Sequence, residues 1–86
     1  MTLAQILPNS FCRVLSAAEQ HPELQSRFYA LGLFPGADIE VLRYAPVGDP
    51  VQVKVGRTLL SIRKQEALLV EVEIDAEIEI AVETTK

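Results

Sequence analysis

The sequence predicts a small, mainly β protein: five short strands in a partly open barrel or roll, with one or two short helices. Three observations carry this. Apolar residues, mostly Val, Ile and Leu, make up 49% of the chain and aromatics only 6%, a composition suited to a small β core. Val51, Val53 and Val55 alternate with Gln52 and Lys54 in a clean period of two. Turn formers (Pro46 to Pro50, Gly56-Arg57) separate apolar runs of strand length.

The elements follow in order. Thr2 is placed to cap a short turn carrying Leu3, Ile6 and Leu7, and Pro8-Asn9-Ser10 ends it. Phe11 to Ala17 reads as the first strand, with Cys12, Val14 and Ser16 on one face and Phe11, Arg13 and Leu15 on the other. Pro22 suits the first helical position, Glu23 suits the first turn, and Leu24, Phe28 and Leu31 form a narrow apolar stripe. Arg27 can pair with Glu23, four residues earlier. Gly32 stops the helix and Pro35-Gly36 turns the chain. Ala37 to Ala45 is the second strand, Val51 to Val55 the third and Thr58 to Ile62 the fourth. Arg63 to Ala67 reads as one helical turn and Leu68 to Val72 as the fifth strand.

At 86 residues the chain reads as one domain, able to bury roughly 60–65% of its unfolded surface. One cysteine excludes an internal disulfide and a cysteine metal cage. A net charge of −4 argues against nucleic acid and anionic membrane surfaces, which need clustered Lys and Arg. Met1 to Leu15 lacks the charged start and apolar run of a signal peptide, and no apolar run approaches a membrane span. A cytoplasmic location is expected.

From Leu68 onward, aliphatic residues alternate with polar ones: Leu68, Val70, Val72, Ile74, Ala76, Ile78, Ile80 and Val82 against Glu71, Glu73, Asp75, Glu77, Glu79 and Glu83. This is the pattern of one long strand with an aliphatic and an acidic face. It outruns what a small barrel can pair, so the excess folds back, stays loose or pairs with another chain as a homo-oligomer.

Catalytic residues are scarce. His21 sits at a helix entrance, Cys12 lies on a strand with the buried pattern, and no phosphate-binding glycine motif exists. The chain is not expected to be an enzyme, and no catalytic, cofactor or dedicated metal residue is assigned. The acidic row, with carboxylates about 7 Å apart on one strand face, supplies the alternative function, metal-ion binding through the C-terminal strand. The remaining signal is apolar residues in connections: Leu33, Phe34 and Pro35 in one, Ala45 and Pro46 with Asp49 in another. Such residues either plug the core or face a partner, and prolines hold their loops at low ordering cost.

The run Arg27-Phe28-Tyr29-Ala30-Leu31-Gly32-Leu33-Phe34-Pro35-Gly36 resembles the R-(apolar)-x-x-L-G-[LM]-x-P-G signature of the FeoA family, ferrous iron transport protein A. Ala45-Pro46-Val47-Gly48-Asp49-Pro50 is similar to that family's A-P-x-G-D-P loop, and Leu60-Ser61-Ile62-Arg63 with Glu66-Ala67 to its L-S-[LI]-R-x-x-E-A ending. The resemblance implies an SH3-like five-stranded barrel over residues 1–73; it says nothing of residues 74–86, which the alternation alone reads as an acidic extended tail or extra strand. It implies a small cytosolic accessory protein of ferrous iron uptake, binding the cytosolic part of a FeoB-type membrane transporter. Leu33, Phe34, Pro35, Ala45, Pro46 and Asp49 are the expected partner-facing residues.

Overall fold

The structure, a computed structural model, describes residues 1–74. A 3₁₀ turn (Leu3–Gln5) leads into β1 (Ser10–Ala17), α1 (Pro22–Ala30), β2 (Asp38–Tyr44), β3 (Val51–Val55), β4 (Thr58–Ile62), α2 (Lys64–Ala67) and β5 (Val70–Ile74). All five strands join one antiparallel sheet in the order β4-β3-β2-β1-β5.

The expected strands are therefore present, but the barrel does not close. β4 and β5 are the two edges of the sheet. Closure would require β5 to offer its outer edge to β4. That edge is already used: Thr2 bridges Glu71, and the Val72 N–H donates to the Met1 carbonyl at 2.9 Å. The N-terminal residues thus occupy the place where closure would occur, and the Met1 ammonium stands 3.5 Å from the Glu71 carboxylate.

The core lies on the inner face of the sheet. Cys12 and Val14 of β1, Ile39 and Val41 of β2, Val51 and Val53 of β3, and Val70 and Val72 of β5 are all buried. Alternation puts each pair on one face. Leu3 and Ile6 cap one end, Phe28 and Leu33 another. Two bulges, between Val14 and Ser16 and between Val41 and Arg43, shift the phase of β1 and β2; this is why Ala17, rather than Ser16, is buried.

Three local readings change, and one tie is added that the sequence did not show. Leu7 is exposed, because the turn is 3₁₀ and ends at Gln5; the Gln5 Oε1 accepts the Thr2 N–H at 2.8 Å, while the Thr2 hydroxyl makes no hydrogen bond. β5 starts two residues late, since Leu68 N–H and Leu69 N–H still donate to Lys64 and Glu66 carbonyls and prolong α2. Arg27 reaches across to Glu66 on α2 rather than to Glu23. Tyr44, half-buried, donates its hydroxyl proton to the Ile6 carbonyl at 2.6 Å and so ties the N-terminal turn to β2. The acidic row beyond Ile74, and any pairing of the tail, lie outside the described residues.

Candidate partner-docking surface

The connection after α1 is built by a Schellman stop. Gly32 takes φ +96°, its N–H donates to the Tyr29 carbonyl at 3.1 Å, and the Leu33 N–H donates to the Phe28 carbonyl at 2.9 Å. In this motif the residue after the glycine folds back toward the helix residue whose carbonyl it bonds. Leu33 and Phe28 accordingly both belong to the core, and Leu33 has no exposed surface. The expectation of a partner-facing Leu33 is corrected: the geometry that ends the helix drives this side chain inward.

Phe34 has the opposite fate. It is 47% exposed, and Pro35 beside it is exposed. The turn that carries them is braced on three sides. The Ala37 N–H donates to the Phe34 carbonyl at 3.0 Å, the Gly36 N–H to the Val14 carbonyl at 2.8 Å, and the Val14 N–H to the Ala37 carbonyl at 2.9 Å. Leu31, at the helix C-cap, is 41% exposed and shares a shallow groove with Phe34, Val55 and Arg57. The apolar stripe of α1 therefore ends at Phe28. The position of Leu31 at the cap, after the last helical residue, takes it off the buried face.

The second group stands elsewhere. Ala45, Pro46 and Asp49 follow β2, whereas Phe34 and Pro35 precede it. β2 has seven residues, so the two groups lie about 20 Å apart, at opposite ends of the sheet. The Ala45 to Pro50 loop is closed by Ala45 N–H to the Pro50 carbonyl at 2.9 Å and Gly48 N–H to the Ala45 carbonyl at 2.7 Å. Pro46 is exposed, and Val47 is 89% exposed at the tip. Asp49 is engaged within the fold. Its Oδ1 accepts the Lys64 N–H at 2.9 Å at the first residue of α2. That bond fixes the loop against the β4–β5 connection.

Among the described residues, Cys12 and His21 stand apart on different elements. Cys12 is fully buried in β1, and burial, reinforced by the nearby negative charge of Asp38, pushes its thiol up to about 11. A thiol so placed is a packing residue. His21, exposed at the N-cap of α1, stands on a different element. Among the described residues, no three His, Cys, Asp or Glu side chains come together as a metal site. No described helix is long and apolar enough to cross a membrane.

A family model for the FeoA domain matches residues 1–74. The chain belongs to the FeoA domain family. Its fold is shared with solved FeoA proteins. The solution structure of iron(II) transport protein A from Clostridium thermocellum superposes with a TM-score of 0.81 at 34% identity, covering 88% of this chain and 46% of that one. FeoA from Chlorobium tepidum gives a TM-score of 0.80 at 38% identity, covering 86% and 70%. FeoA from Stenotrophomonas maltophilia, solved with zinc and described as an SH3 domain protein and candidate ferrous iron transport activating factor, gives 0.73 at 30% identity, covering 85% and 89%. This chain thus spans less than half the length of the first of these relatives. The fold of this chain is SH3-like, with its five strands in one open sheet.

Proposed function

We propose that this FeoA-domain chain is an accessory protein of ferrous iron uptake, acting by docking on the cytosolic part of a FeoB-type membrane transporter. The observation that carries the reading is Phe34. A large aromatic side chain stands half out of the surface on a turn whose backbone is fixed by three hydrogen bonds and anchored by buried Leu33. An aromatic anchor held in one conformation loses little entropy on binding, and such residues dominate interface energetics. Pro35 and Leu31 widen the apolar patch around it. Ala45 and Pro46 form a separate contact at the far end of β2, with Asp49 holding their loop in shape.

The family match supports the iron-uptake setting, and the exposed Phe34–Pro35 turn supports action by contact rather than by chemistry. The test is ferrous iron uptake in cells lacking this chain and supplied with it in wild-type or Phe34→Ala form, at matched levels of folded protein. Wild type is expected to restore uptake and Phe34→Ala to fail. Full restoration by Phe34→Ala would remove this surface from the function.

A further inference from the structure

Phe34 does not stand alone on its surface. The groove it borders lies between the end of α1 and the β3–β4 hairpin, and its side chains are apolar apart from Asp38, Arg57 and Thr58. Both walls are fixed. On the helix side, the stop at Gly32 and the hydrogen-bonded turn after it hold Leu31 and Phe34. On the hairpin side, Val55 pairs with Thr58 and leaves a two-residue turn. Gly56 opens that turn at φ +59°, a position where such a hairpin takes glycine. Arg57 thus stands at the tip of a short, fixed turn. The walls meet without a gap: a Cβ added at Gly32 would lie 3.2 Å from the Val55 Cγ1.

The charges along the groove are not balanced. Asp38 is matched within the fold, its Oδ1 accepting the Arg13 Nε–H at 3.0 Å. Lys54, beside Gly56, stands opposite Glu40 across the sheet. Arg57 is exposed and has no ion-pair partner among the described residues. The result is a concave apolar strip with one unmatched positive charge at its rim. In such a site the apolar groups supply affinity and the rim charge selects by sign. A guanidinium also takes a carboxylate as a two-pronged fork, which fixes orientation. A lysine at the same place would be repelled.

We propose that the occupant of this groove is a short segment of the protein partner in which a large apolar side chain adjoins a carboxylate. The apolar group covers Phe34 and Leu31, and Arg57 binds the carboxylate. This rests on the reading of Phe34 as a partner-facing residue and adds the chemistry of what it meets.

The experiment uses the isotope-labelled full chain and two short synthetic peptides with blocked ends. One carries Leu-Leu-Glu-Glu between glycines, the other Leu-Leu-Lys-Lys. At millimolar concentration the acidic peptide is expected to shift the amides of Leu31, Phe34, Gly56, Arg57 and Thr58, and the lysine peptide to leave them in place. Arg57→Glu is expected to bind the acidic peptide about tenfold more weakly, since it turns an attraction into a repulsion, while Arg57→Lys keeps most of the affinity. Arg57 is exposed, so both variants are expected to keep the wild-type amide spectrum away from the hairpin. Equal shifts from the two peptides, shifts from neither, shifts that spare this groove, or unchanged binding by Arg57→Glu would each overturn the proposal. So would shifts of the same amides on concentrating the chain alone, which would make the occupant a second copy. Binding to phosphatidylserine vesicles that Arg57→Glu abolishes would make it a membrane, with the same consequence. Cellular iron uptake separates this inference from the transporter reading. Inert peptides with uptake lost in Phe34→Ala remove only the segment chemistry; selective peptide binding with full uptake in Phe34→Ala removes only the transporter.

Discussion

Leu33 and Phe34 are neighbours in sequence and opposites in structure, so truncating each gives a paired prediction. Leu33 is fully buried among Phe28 and the strand valines. Leu33→Ala removes its transfer energy and leaves a cavity that the braced turn cannot collapse, at a cost of about 3 kcal/mol. Phe34 already exposes 47% of its surface. Phe34→Ala loses only the contacts of the covered half, about 1 kcal/mol. With a urea dependence of about 1 kcal/mol per molar for a domain of this size, Leu33→Ala is expected to lower the unfolding midpoint by about 3 M and Phe34→Ala by about 1 M. Ordinary stability for a small domain starts at about 5 kcal/mol, so the first change leaves it near the edge of folding. The assay is equilibrium urea unfolding followed by far-ultraviolet circular dichroism. Equal midpoint losses, or a larger loss for Phe34→Ala, would refute the division of this turn into an anchor and a displayed residue.

Three further outcomes are expected. Gly32→Ala places a methyl 3.2 Å from the Val55 Cγ1 at φ +96°, and is expected to cost roughly 1–2 kcal/mol for the left-handed backbone alone; Gly36→Ala, at φ +92° with open space around it, carries only the backbone part, so a smaller midpoint loss there isolates the Val55 contact. Tyr44→Phe leaves the Ile6 carbonyl without its 2.6 Å donor and is expected to lower stability by about 1 kcal/mol, with faster hydrogen exchange in the N-terminal turn. Cys12 links stability to alkaline pH: its thiol ionises near the ordinary 9.0 when unfolded but only at about 11 when folded, so stability is full below pH 9 and falls by about 2 kcal/mol as pH rises to 11. Tyr44, also raised by burial and by Cys12, acts in the same direction, and urea midpoints of wild type against Cys12→Ala across this range separate the two.

Much of this fold was legible in the sequence because period-two alternation is a direct signature of a half-buried strand. β3 and β4 fall on the expected residues, and α1 begins at Pro22 as expected. What escaped was long-range. The outer edge of β5 is taken by Met1 and Thr2, a pairing across some seventy residues of sequence that no local pattern encodes, and it keeps the barrel open. The bulges in β1 and β2 are likewise invisible to strict alternation. For the candidate site, both connections are visible in the sequence, but their separation by the length of β2 follows only from the topology. The inward turn of Leu33 was within reach. A glycine stop implies a hydrophobic contact from the following residue back to the helix, and that rule distinguishes Leu33 from Phe34 without coordinates. The fate of Asp49 was half legible: its turn-forming role was readable, while its bond to the Lys64 N–H required knowing that α2 lies alongside.

Whether Phe34 is displayed for a partner is addressed most directly by a calorimetric titration. The purified chain, wild type or Phe34→Ala, is titrated into the isolated cytosolic part of a FeoB-type transporter, with folding of each checked beforehand. Measurable binding is predicted for wild type and at least a tenfold weaker affinity for Phe34→Ala, the loss of about 1.4 kcal/mol expected for truncating an interface aromatic. Equal affinities for the two folded proteins would contradict a docking role for this residue.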